Sequence, residues 1–137
     1  MVQYVSLIIY PESGRKRVPA HWGILMRARE DKLEGVVYHA IGSGFQGYSP
    51  DIKRDYNLAA TKRKYILVPL GTIDDSHMSS VDETALATPA PGLSPTPLDP
   101  FAGDNCQKWA LDFMQSLVNM GLIDPSVMDS MATAPRE

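Results

Sequence analysis

One cysteine and two histidines set the chemical question for this 137-residue chain. Cys106 is its only cysteine and stands in AGDNCQKWALDFMQSLVNMGL (102–122), where a loop gives way to a helix. The first turn of a helix presents unpaired N–H groups and the positive end of the dipole, which favour a thiolate there. The competing reading is a small hydrophobe that simply packs, as free cysteines usually do. His21 in AHWGIL and His39 in VVYHAIG bear on the choice, because a cysteine nucleophile needs a base within reach and a third group to orient that base. With Cys106 as nucleophile and the two histidines as its base and orienting group, the chemistry would be hydrolysis or transfer of an acyl group. It would proceed through an acyl-Cys106 intermediate. A non-catalytic binding module is the alternative. Zinc held by His21, His39 and Cys106 is a third reading, but no second cysteine and no close-spaced histidine pair supports it. His77, in the polar run DDSHMSS, reads as a surface residue.

The elements that must position these groups are legible from pattern. VQYVSLIIY (2–10), AHWGILMRA (20–28), GVVYHAIGSG (35–44) and RKYILVPLGTI (63–73) are β-branched, aromatic or alternating runs bounded by turn residues, and they predict strands. Alternation puts His21, Gly23 and Leu25 on one face and Trp22, Ile24 and Met26 on the other; His39 shares a face with Val37 and Ile41. A hairpin through REDKLEG makes the histidines neighbours, and a helix laid on their face would bring sulfur to imidazole. FQGYSPDIKRDYNLAAT is expected to be extended with a turn at Ser49-Pro50. A short helix follows in 74–88, capped by Ser79 or Ser80, and the Pro-rich 89–100 is a stiff exposed connection. The strongest helix spans about 104–120. Asp104 is its expected cap, Gln107 completes a capping box, and Gly121 ends it. Cys106, Trp109, Ala110, Phe113 and Leu117 share its apolar stripe. A last short helix has Asp124 as cap and Pro125 at its first position. Strands first and helices afterwards predict one α+β domain over 1–137, an antiparallel sheet of four to five strands packed by the cysteine helix.

In this order, "HW-x-I", then "VV-x-H", then "NC" opening a helix resembles the circularly permuted papain-like superfamily. The likeness is to its lecithin:retinol acyltransferase-like branch, with PPPDE peptidases and NlpC-type hydrolases as broader relatives. The resemblance implies a permuted papain-like fold with His21 as base, His39 orienting it and Cys106 as nucleophile. NCQKWA stands where that branch carries NCEHF, which turns the expectation toward a small-molecule, peptide or carrier-bound acyl substrate. Backbone N–H groups at the helix start would hold the oxyanion, with Gln107 or Tyr38 as candidate side-chain donors.

Composition bounds the partners. The formal charge is −3, with 44% hydrophobic and 21% charged residues, an ordinary globular balance with no basic field for nucleic acid. RKR (15–17) and KRK (62–64) read as solvated surface. One cysteine excludes an internal disulfide framework. No apolar run approaches the roughly 18 residues that span a bilayer, and the N-terminal run reads as a strand, not a signal peptide. The expectation is a cytoplasmic protein with no cofactor and no membrane anchor. Met114, Met120, Met128 and Met131 could line an interface or fill a core; the oligomeric state is open.

Overall fold

The computed structural model describes residues 1–11, 20–43, 46–92 and 105–136. Within them the chain forms β1 (Val2–Tyr10), β2 (His21–Arg27), β3 (Glu34–Ser43), β4 (Gly47–Asn57) and β5 (Ile66–Asp74). Helices α1 (Met78–Ala87), α2 (Cys106–Asn119) and α3 (Ser126–Ala132) follow. The strands make one antiparallel sheet in the order β4-β3-β2-β1-β5. The α+β class and the antiparallel sheet expected from pattern are what the chain adopts.

The sheet is buried on both faces, unequally. Val5, Leu7, Ile9, Trp22, Ile24, Met26 and Tyr38 form one apolar surface, covered by Trp109, Ala110, Phe113, Met114 and Leu117 of α2. Trp109 is fully buried, stacks on Phe113 and donates its indole N–H to the Thr88 carbonyl at 3.1 Å, tying α2 to the end of α1. The opposite face carries a smaller cluster of Ile8, Tyr10, Leu25, Val37 and Leu58, with Tyr56, Tyr65 and Leu67 packed around it. No α-helix lies there among the described residues; Leu58 comes from a single 3-10 turn, Leu58–Ala60.

Several local expectations are corrected. Ser49 and Pro50 form no turn: both lie inside β4, opposite Ile41 and Ala40. The reversal is made around Gly42 (φ 136°) and Gly47 (φ 81°), which accept the positive φ that other residues resist. Pro50 is tolerated because β4 is an edge strand, with no further strand beside it among the described residues. Neither Ser79 nor Ser80 caps α1. The helix follows a 3-10 turn at Asp75–His77, which Asp74 caps by accepting the Ser76 N–H at 2.9 Å. For α2 the cap is Asn105, whose Oδ1 accepts the Gln107 N–H at 2.9 Å. Asp104 lies outside the described residues, as do RKR (15–17) and residues 93–100 of the Pro-rich run. Gly121 (φ 73°) ends α2 as expected, whereas α3 begins one residue later than expected: Pro125 is its N-cap, and Asp124 before it accepts the Ser126 N–H at 2.8 Å. Met114 and Met131 are core residues, Met128 is half-buried, and Met120 is half-exposed.

A bulge in the β3–β4 ladder bears on the site. Val37 pairs with Lys53 and Gly35 with Tyr56, so Arg54 and Asp55 together oppose Val36, and Asp55 takes φ 54°. The extra residue re-aims the strand. Without it, Asp55 would occupy the register position opposite Gly35 that Tyr56 holds. Gly35 is held against β2: a Cβ there would stand well inside contact distance of the Met26 carbonyl oxygen. That neighbour is backbone and cannot yield. Gly35→Ala is expected to lower the unfolding free energy by about 1–3 kcal/mol, read as a reduced urea midpoint with an unchanged m-value.

Candidate functional site

Alternation and register put His21 and His39 on the same sheet face. A Cβ built on Gly23 would meet Val37 and the His39 Cβ, which fixes that face as the one without α2. His21 Nε2 lies 2.9 Å from His39 Nδ1, and His39 Nε2 lies 2.8 Å from Asp51 Oδ2. His39 is buried; Asp51 is on the edge of exposure.

This chain has a direction. An ionised Asp51 can only accept, so His39 donates from Nε2 and its Nδ1 becomes an acceptor. His21 must then donate from Nε2, which leaves its Nδ1 with the lone pair. His21 is therefore held in the tautomer whose basic nitrogen is Nδ1. Burial, reinforced by His39, Arg63 and Lys53, lowers the His21 pKa from 6.5 to about 4, so the ring is neutral at neutral pH. Burial also lowers the His39 pKa, against the opposing pull of Asp51. His21 stacks on Tyr10, its partner across the β1–β2 ladder, at 5.9 Å.

The pair opens on a cavity of about 260 Å³ lined by Tyr10, His21, His39, Lys53, Tyr56 and Arg63, among others. A second, more open cavity of about 320 Å³ shares His21, His39, Lys53 and Arg63 and extends to Tyr48. KRK (62–64) is exposed as expected, yet Arg63 also lines this site, its guanidinium 4.5 Å from the Tyr10 ring centre.

Cys106 occupies the first position of α2, buried on the stripe that faces Trp22 and Ala20. The expectation that α2 would lie on the histidine face is corrected: α2 packs on the opposite one. Its large residues match the apolar surface of Trp22, Ile24 and Tyr38, whereas the histidine face offers polar rings. Sulfur and imidazole still share one end of the sheet. Cys106 Sγ lies 4.0 Å from the carbonyl oxygen of Ala20, the residue before His21.

The same end is heavily braced. The buried Gln107 side chain donates to the Ala20 carbonyl at 2.9 Å and to the Arg136 carbonyl at 2.8 Å, and the Ala20 N–H donates to the Arg136 carbonyl at 2.8 Å. The Trp22 indole donates to the Pro135 carbonyl. These bonds fix the start of β2, and with it His21, against α2 and the C-terminal tail. They also remove Gln107 as an oxyanion donor, since its amide protons are already used. Tyr38 is removed too: it is buried on the α2 face and donates to Asp82 Oδ1. His77 is exposed. Among the described residues, no three His, Cys, Asp or Glu side chains converge to hold a metal ion.

Asp51, Lys53 and Arg63 were not singled out from sequence. Asp51 follows the supposed Ser49-Pro50 turn, and only the β3–β4 register, His39 opposite Asp51, reveals it as a partner. A strand assignment for 47–57 would have been the signal.

A family model described as a family of unknown function (DUF6540) matches residues 5–124. The chain belongs to that family. The matched region runs from β1 through α2 and contains His21, His39, Asp51 and Cys106. No curated protein matches the chain, and no solved structure does. No helix among the described residues is long and apolar enough to cross a membrane.

Proposed function

We propose that this protein is a cysteine-dependent hydrolase or acyltransferase, built on a permuted papain-like arrangement of sheet and helix. The observation that supports it most is the directed chain Asp51–His39–His21, which ends on a neutral imidazole with Nδ1 as its base nitrogen. In this reading His21 Nδ1 takes the Cys106 thiol proton as sulfur attacks the substrate carbonyl. The imidazolium then protonates the leaving amine, alcohol or thiol, and the acyl group remains on Cys106. Water or an acceptor alcohol or amine loses its proton to His21 and attacks the thioester, and Cys106 leaves as thiolate. His39 and Asp51 are positioning residues: they hold the His21 tautomer through the two hydrogen bonds of the chain.

One observation favours a second reading, a binding module. Cys106 faces the Ala20 carbonyl on the α2 side of the sheet. A thiol can donate to that oxygen, whereas a thiolate is repelled by it.

Alkylation by iodoacetamide separates the two, and any thiol adduct reports Cys106 because it is the sole cysteine. If the proposal holds, the wild-type rate titrates well below the free-thiol value of about 8.5. His21→Ala removes that advantage, and Asp51→Asn reduces it at unchanged fold. An ordinary titration, indifferent to His21→Ala, overturns the enzyme reading in favour of the binding module.

A further inference from the structure

We infer that the cavity on the histidine face binds an oxyanion, a carboxylate or phosphate group carried by a small molecule, between Lys53, Arg63 and the edge of His21. The inference goes beyond acyl transfer and stands without Cys106, which lies on the other face.

Three observations converge on it. Both cavities share Lys53, Arg63, His21 and His39, and no acidic side chain is among their described lining residues. In a protein of net charge −3, two cations line one concave space, and the Asp51 carboxylate behind it is engaged by His39. The cations also lie against aromatic rings: Lys53 Nζ is 5.6 Å from the Tyr56 ring centre, and the Arg63 guanidinium is 4.5 Å from that of Tyr10. Cation–π contact of this kind restrains long side chains at the rim.

Neutral donors complete the set. The Tyr10 and Tyr56 hydroxyls lie 2.9 Å apart. One donates to the other, so the accepting tyrosine retains a proton to give to a ligand. Thr61 Oγ1 accepts from the Arg63 N–H, which leaves its own hydroxyl proton available. His21 is held neutral by burial and by these same cations. An arriving anion supplies the countercharge that lets its Nδ1 accept a proton and donate to the ligand. The β4 bulge matters here, because it seats Tyr56 in the register position that Asp55 would otherwise hold. It removes a repelling carboxylate from the rim and adds a donor.

The test is a titration of the histidine ring resonances by NMR with inorganic phosphate and, separately, acetate. Wild type, Lys53→Glu and Cys106→Ala are compared. Saturable shifts at His21, with its apparent pKa raised by the ligand, are expected in wild type and in Cys106→Ala. In Lys53→Glu, binding should weaken by about tenfold or more. The stronger of phosphate and acetate identifies the ligand class. No saturable shift at His21 with either anion overturns the inference, as does equal affinity in Lys53→Glu. Because Cys106→Ala abolishes any acyl-enzyme but not this site, the inference and the acyl-transfer proposal fail independently.

Discussion

Replacing Trp109 by alanine is expected to destabilise the protein by about 3–5 kcal/mol, the upper end of what a single truncation in a core costs. Trp109 is fully buried where α2 meets the sheet, and its ring stacks on Phe113 with centres 5.1 Å apart. Its indole N–H satisfies the Thr88 carbonyl just past α1. Truncation opens a large cavity and strips a buried carbonyl of its donor, a further cost on the order of 1–3 kcal/mol if water does not replace it. Trp109→Phe helps divide the two contributions, since it keeps an aromatic ring in the core but loses the indole donor and part of the packing volume. The measurement is urea unfolding followed by circular dichroism. A midpoint for Trp109→Ala within a few tenths molar of wild type would show that α2 is not the lid of the core.

Acidification gives the second large effect. His21 has a folded pKa of about 4 against 6.5 for the free ring, depressed chiefly by burial and then by His39, Arg63 and Lys53. Below pH 6.5 the unfolded chain binds a proton that the folded one refuses. Stability is therefore intact above about pH 6.5 and falls as pH drops toward 4. The contribution of His21 amounts to about 3 kcal/mol over that window. His39 is shifted in the same direction and adds to the loss. His21→Gln, which cannot charge, should flatten the unfolding free energy between pH 6.5 and 4. A wild-type curve already flat across that interval would show that the imidazole protonates freely in the folded state.

The sheet was legible because its runs are long, β-branched and bounded by turn residues: β1, β2, β3 and β5 fall within a few residues of where pattern puts them. Strand β4 was not. GYSPDIKRDYN carries a proline and many polar residues, and an edge strand with one side in water needs little apolar signal. Missing β4 hid Asp51 and Lys53, and with them the carboxylate that orients His39. The adjacency of His21 and His39 could be read, since strand period and hairpin pairing alone determine it. The face taken by α2 could not. That choice is made by the fit of Trp109 and Phe113 to Trp22, Ile24 and Tyr38, a matter of three-dimensional shape that sequence spacing does not encode. Gln107 shows the same limit. Its spacing from the helix start suggested a cap, while its amide is spent on the carbonyls of Ala20 and Arg136, one of them far along the chain.

The two border strands each contain a proline, Pro50 in β4 and Pro69 in β5. A border strand offers its outward amide groups to any passing extended chain, and a missing N–H breaks the run such a chain would need. Lys53 and Arg54 on one border reinforce the barrier with charge. A proline in each border strand thus works against self-association by strand addition.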